Sequence, residues 1–141
     1  MTISDMLNKG ADTLQKAGIE EYGLDAWYLL SYCMGINRAK YYMVQGDEAD
    51  AQIIEKYNSL IGIRAERKPL QQITGSQEFM GIEFEIDENV LIPRQDTEIL
   101  VSEVYKLCQN KNVLDMCTGT GSIAISIAKD GKAKSVTASD I

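Results

Sequence analysis

Val113-Leu114-Asp115-Met116-Cys117-Thr118-Gly119-Thr120-Gly121-Ser122-Ile123-Ala124, followed one helix length later by Ser135-Val136-Thr137-Ala138-Ser139-Asp140, decides the fold class. A short apolar run, a glycine-rich turn, a helical stretch with Ile123, Ala124, Ile127 and Ala128, and a second short run ending in an acid spell the first β-α-β unit of a nucleoside-binding sheet. Glycine at 119 and 121 lets the loop backbone approach a ligand that a Cβ would hold off. Asp140 falls 19 residues beyond Gly121, where a carboxylate can accept hydrogen bonds from two ribose hydroxyls. The plainer reading is a tight strand-to-helix turn of some other α/β protein, with Asp140 a solvated strand end. The complete order of strand, loop, helix, strand and acid favours a nucleoside ligand.

Two cofactors compete for this loop. Gly119-Thr120-Gly121-Ser122-Ile123-Ala124 matches the G-x-G-x-x-A form of a dinucleotide fingerprint. Asp115 argues against a dinucleotide: at the strand end, it would set a fixed negative charge close to a pyrophosphate. S-adenosylmethionine brings a sulfonium and an ammonium, which the same carboxylate attracts. Local capping of the loop by Asp115 is the simpler role and is compatible with the second. The residues themselves single out Gly119 and Gly121 for close backbone approach, Asp140 for the ribose and Asp115 for its charge.

Upstream, the apolar period is helical as far as Thr74. Ile3, Leu7, Ala11 and Leu14 form one stripe, opened by Thr2 and Asp5 in capping-box spacing and closed by Gly18. Leu24, Trp27, Leu30 and Met34 form a second, ended by Gly35. A short helix is expected over Arg38 to Val44, and a fourth from Asp50, burying Ile53, Ile54, Tyr57, Leu60 and Ile61, with Pro69 as its stop. Beyond Gly75 the period moves towards two. Phe79 to Ile86 alternates around Gly81, and Asp87-Glu88-Asn89 then turns into Val90-Leu91-Ile92-Pro93, a small hairpin or meander. Leu100, Val101, Val104, Leu107 and Cys108 restore the helical period, capped by Asp96 or Thr97.

Composition excludes several functions. The 141 residues carry 14 basic and 21 acidic side chains, a net charge of −7, which argues against direct nucleic-acid binding. Histidine is absent, removing His-metal sites, Ser-His-Asp triads and Cys-His dyads together. Three cysteines without C-x-x-C spacing argue against a zinc knuckle or a disulfide framework. No apolar run approaches the roughly 20 residues that span a bilayer, and the first residues lack a secretory pattern. A cytoplasmic protein with reduced thiols is expected. Tyr41-Tyr42 with Arg38 and Lys40 reads as amphipathic packing before a stacking surface, and Trp27 as core. Glu20-Glu21 and Asp47-Glu48-Ala49-Asp50 read as solvated acids before a site for a basic partner.

Two stretches resemble the release factor glutamine methyltransferases, the HemK/PrmC family. Pro69-Leu70-Gln71-Gln72-Ile73-Thr74-Gly75, Phe79-Met80-Gly81 and Leu91-Ile92-Pro93-Arg94-Gln95-Asp96-Thr97-Glu98 resemble its linker signature, and Val113 to Gly121 resembles its first cofactor motif. The resemblance implies an α+β chain. A helical substrate-recognition bundle occupies 1–74 and a β-hairpin linker 75–94. Over 95–141 lies the first β-α-β half-unit of a Rossmann-like class I methyltransferase domain, truncated at Ile141. It implies S-adenosylmethionine-dependent methylation of the glutamine side-chain amide in the Gly-Gly-Gln motif of class I peptide chain release factors. Asp140 would hold the ribose, the loop Cys117 to Gly121 the methionine part, and Arg94, Thr97 and Glu98 would close the pocket or brace the junction. Cys117 departs from the common family glycine; a small buried thiol packing in place is expected there. The catalytic Asn-Pro-Pro-Tyr signature should follow well after Asp140, and no Asn-Pro pair occurs in these residues. A chain of these residues alone is therefore expected to be inactive. A part of an N6-adenine DNA methyltransferase, or a non-catalytic protein-interaction module, remain as alternatives.

Overall fold

Thr2 and Asp5 satisfy each other's backbone. The Asp5 amide donates to the Thr2 hydroxyl at 3.1 Å and the Thr2 amide to the Asp5 carboxylate at 3.0 Å. This capping box opens α1 (Ile3–Lys16) in a computed structural model that describes residues 1–141. The Thr2 hydrogen bonds also hold the Asp5 carboxyl below its ordinary value. Helix α1 buries Ile3, Met6, Gly10 and Leu14. Glycine is required at 10 because a Cβ there would lie 2.1 Å from the Tyr57 hydroxyl.

Helix α2 (Tyr22–Met34) stops at Gly35, whose φ of 63° is the left-handed cap glycine tolerates. It turns Ala26, Trp27, Leu29 and Leu30 inward, while Leu24, expected in the stripe, faces solvent. The helix is apolar nearly all round, so the stripe alone does not select the buried face. Asp25 takes an inward position instead and receives Arg64 Nε at 2.7 Å. Helix α3 (Arg38–Val44) begins where the Asn37 side chain accepts from the Lys40 amide, and α4 (Ala51–Ala65) where Asp50 accepts from the Gln52 amide. Pro69 does more than stop α4. Its carbonyl accepts from the amides of Gln72 and Ile73, and it opens an unexpected helix α5 (Leu70–Thr74). Its fixed φ suits a first helical turn. Eleven buried residues form the core of this unit, Met1–Thr74, with the Tyr57 hydroxyl donating to the Ala26 carbonyl at 3.2 Å. Burial pushes that hydroxyl's pKa upward.

A second unit, Gly75–Ile141, has its own smaller core. Strands β1 (Ser76–Phe79) and β2 (Ile82–Glu85) pair antiparallel about the two-residue turn Met80-Gly81. Both turn residues have positive φ, 51° and 71°, the handedness that matches strand twist. The hairpin therefore turns at 80–81, not at Asp87 to Asn89, and Val90 to Pro93 lies in no strand. Met80 tolerates its φ while its amide donates to Glu98 Oε1 at 2.7 Å. Helix α6 (Gln95–Leu107) follows Arg94 with no side-chain cap, correcting the expected cap at Asp96 or Thr97. Those residues sit within the first turn, where Asp96 and Glu98 suit the helix dipole. Val101 and Cys108 are buried, whereas Leu100 and Leu107 are exposed.

Strand β3 (Asn112–Met116), helix α7 (Ser122–Asp130) and strand β4 (Ser135–Ser139) form a β-α-β unit. The strands are parallel, in register from Asn112 opposite Ser135 to Met116 opposite Ser139. Val113 and Val136 pack with Phe79, Phe84, Val101, Cys108 and Ile127. Leu114 and Met116 point to the other face and are 61% and 69% exposed. The whole is an α+β chain of seven helices and two small sheets.

Candidate functional site

The loop Cys117 to Gly121 joins the carboxyl end of β3 to α7. Cys117, Gly119 and Gly121 all have positive φ, 60°, 56° and 76°. Nothing lies within 4 Å of a Cβ built on Gly119, so its glycine answers to backbone conformation and leaves the peptide open to a close ligand. The Thr118 amide donates to the Ser139 carbonyl at 3.1 Å, fastening the loop to β4.

Two carboxylates grip the loop from the two strand ends. Asp115 Oδ2 accepts from the Thr118 hydroxyl at 2.6 Å and from the Ala124 amide at 3.2 Å. It thus meets an otherwise free donor in the first turn of α7, which has no cap side chain of its own. Local capping is realised. Asp140 Oδ2 accepts from the Gly119 amide at 2.6 Å and its Oδ1 from the Ile141 amide. The Gly119 amide first, and that of Ile141 second, hold the Asp140 carboxyl below its ordinary value. An exposed strand-end carboxylate and an open glycine peptide are therefore neighbours, although 21 residues separate them.

Cys117 is a correction. Its thiol is exposed, not buried. It follows Met116, which already lies on the open face of the sheet, and the turn carries it to the rim. Its left-handed backbone costs about 1 kcal/mol for a residue with a Cβ. Glu98 braces the β1–β2 turn, and Arg94 and Thr97 start α6; neither of the latter hydrogen-bonds the loop. Sequence reasoning missed the opposite wall. Thr120 lines a cleft of about 430 Å³ together with Glu85, Asp87 and Val90 from the end of the hairpin. No spacing rule connects residues so far apart along the chain.

The other patches resolve simply. Tyr41 is buried edge-on against Trp27, with centroids 5.3 Å apart, and the Arg38 guanidinium lies over the Trp27 ring at 4.1 Å. No group of three or more His, Cys, Asp or Glu is placed to hold a metal ion, and no helix is long and apolar enough to cross a membrane.

Residues 5–75 match the family model described as PrmC N-terminal domain. The release factor glutamine methyltransferase of Clostridium acetobutylicum is 39% identical over 144 residues, covering 100% of this chain and 50% of that protein. Proteins of the same name from Fusobacterium nucleatum and Geobacter sulfurreducens are 38% and 36% identical, covering 97% and 91% of this chain and 40% and 45% of their own length. The chain thus spans about half the length of the curated relatives it matches. It belongs to the PrmC family of release factor glutamine methyltransferases.

Proposed function

We propose that the protein to which this chain belongs is an S-adenosylmethionine-dependent methyltransferase acting on the side-chain amide of the glutamine in the Gly-Gly-Gln motif of class I peptide chain release factors, in the cytoplasm. Residues 1–74 serve as its recognition domain, 75–94 as a hairpin linker, and 95–141 as the start of a Rossmann-like cofactor domain. The observation that carries this reading is the meeting of the Asp140 carboxylate with the Gly119 amide at the carboxyl ends of two parallel strands, the place where such sheets take ligands. Family membership supports this choice of reaction.

The residues present fit the cofactor. Asp140, exposed and ionised, accepts the ribose hydroxyls. Cys117 to Gly121 present bare backbone to the methionine part. Asp115 contributes negative charge beside the loop even while capping α7, which suits a sulfonium and an ammonium and disfavours a pyrophosphate. When bound, the cofactor supplies an electrophilic methyl group; these residues bind and orient it. The group that would orient the glutamine amide is not among the 141 residues, which hold no Asn-Pro pair, and the chain alone transfers no methyl group.

Asp140→Ala in the whole protein tests the assignment. Removing an acceptor for two hydroxyls should weaken S-adenosylhomocysteine roughly tenfold or more, read by calorimetry. Unchanged affinity, or tight binding of NADH by the unaltered protein, would overturn it.

A further inference from the structure

Helix α2 carries one charged residue among Tyr22–Met34, Asp25, and that one is buried. Its outer face is a stripe of Leu24, Tyr28 and Tyr32, 41%, 49% and 46% exposed and one turn apart. The other two long helices of the unit are built differently. Helix α1 exposes Asp5, Lys9 and Asp12, and α4 exposes Glu55 and Lys56. A helix that is apolar on every side belongs in an interior, and α2 is covered on one side only.

Spacing and charge say what covers the other. The stripe is symmetric about Tyr28: Leu24 and Tyr32 stand four residues to either side, and Glu21 and Gly35 seven. Laid antiparallel on a second copy with Tyr28 facing Tyr28, it sets Leu24 against Tyr32 and Glu21 against Gly35. Gly35 adds no side chain there, and nothing lies within 4 Å of a Cβ built on it, so Glu21 has room. Lys56 reaches the same end from α4, its Nζ 4.9 Å from the centre of the Tyr32 ring. Gly35 and Tyr32 are only about 4.5 Å apart along a helix axis. Neither Glu21 nor Lys56 belongs to an ion pair within the chain, whose pairs are Asp25–Arg64 and Lys106–Glu103. The antiparallel arrangement therefore brings opposite, uncommitted charges together twice. A parallel one would set Glu21 beside Glu21 and Lys56 beside Lys56.

We propose that this face of α2 docks a second copy of the chain, as an antiparallel pair centred on Tyr28. The same patch serves both partners, as a two-fold interface requires. Its centre is uncharged and rich in tyrosine and its charges lie at the rim, the make-up of a protein–protein contact. The pairing concerns the helical unit alone and is independent of the cofactor reading.

Sedimentation equilibrium of the 141-residue chain over a concentration series tests the pairing, with Trp27 fluorescence checking that each variant is folded. A reversible monomer–dimer equilibrium is expected. Tyr28→Lys, at an exposed position, should weaken it about tenfold or more. Glu21→Lys and Lys56→Glu should each weaken it about fivefold, because each change acts at both ends of the pair. Combined in one chain, the two exchanges restore opposite charges and should return the affinity to within about twofold of the unaltered protein. A chain that stays monomeric throughout overturns the proposal. So does a dimer that survives Tyr28→Lys and is lost in Leu114→Lys, since the open face of β3 would then be the contact. Failure of the charge exchange to restore association overturns the antiparallel arrangement. A monomeric chain that binds a purified class I release factor, and loses it in Tyr28→Lys, gives the stripe to the protein substrate and also overturns the pairing.

Discussion

The helical unit and the β-α-β unit spend similar apolar composition in opposite ways. Met1–Thr74 closes around eleven buried residues drawn from α1, α2, α3, α4 and the turn at Ile19. Gly75–Ile141 buries seven apolar residues, five of them in one cluster, and leaves Leu114, Met116, Leu100 and Leu107 more than half exposed. Helices with start and stop residues of their own can bury one stripe against each other and be finished. Parallel strands are ordinarily covered on both faces, and here one face of β3 has no neighbour. Helices that neighbour one another in sequence close a core within their own stretch of chain, while a parallel sheet joins strands that lie far apart in sequence.

Side-chain truncation should expose this difference most strongly. Leu30, fully buried in α2, and Leu114, open on β3, are the same residue type in opposite settings. Leu30→Ala should cost about 2–5 kcal/mol, and Leu114→Ala about 0.5 kcal/mol or less. The single tryptophan, Trp27, lies in the helical core, so its fluorescence during urea unfolding reports that unit alone. A comparable cost for Leu114→Ala, followed by hydrogen exchange across β3, would mean that the open face is covered in solution and would break the comparison.

A smaller effect is expected at the loop. Cys117→Gly removes the Cβ from a residue at φ 60° and should stabilise the second unit by about 1 kcal/mol or less, because the freer unfolded chain offsets part of the gain. Slower exchange of the Val113 to Met116 amides would register it. Destabilisation would show that the exposed thiol makes a contact worth more than the strain.

The smallest effect is electrostatic, and each unit has its own instance. Asp5 in the capping box and Asp140 at the loop are both held below the ordinary carboxylate value of 3.8 by amide or hydroxyl donors. Depressed folded values mean that each contribution is fully present above that value and is lost as pH falls through the lower folded value. The Gly119 amide shift should therefore titrate with a midpoint below 3.8 and stop doing so in Asp140→Asn. A midpoint at or above 3.8 would deny the Asp140 to Gly119 hydrogen bond.

How far the sequence discloses each element follows from how local its cause is. Thr2 with Asp5, Gly35, Asp50 and the run from Asn112 to Ser139 announce their elements through neighbours three or four residues away, or through one complete β-α-β pattern. The Met80-Gly81 turn is obscured because methionine at positive φ carries no turn chemistry, whereas Asp87-Glu88-Asn89 carries plenty. What secures Met80 is Glu98, 18 residues on. Pro69 has two meanings, stop and start, and the pattern before it suggests only the first. At the candidate site, Asp115 and Asp140 are legible as strand-end acids, but the Glu85 and Asp87 wall beside Thr120 is not, since only folding brings the hairpin to the loop. Asp25 and Arg64, 39 residues apart, are hidden for the same reason.

Methyl transfer tests the functional account most directly. The whole protein is incubated with isotopically labelled S-adenosylmethionine and a purified class I release factor, and the release factor is digested for mass spectrometry. The account predicts label on the glutamine of the Gly-Gly-Gln peptide, strongly reduced by Asp140→Ala, with none transferred by the 141-residue chain alone. Label on adenine of added DNA with none on that glutamine, or labelling of the glutamine by the 141 residues themselves, would contradict it.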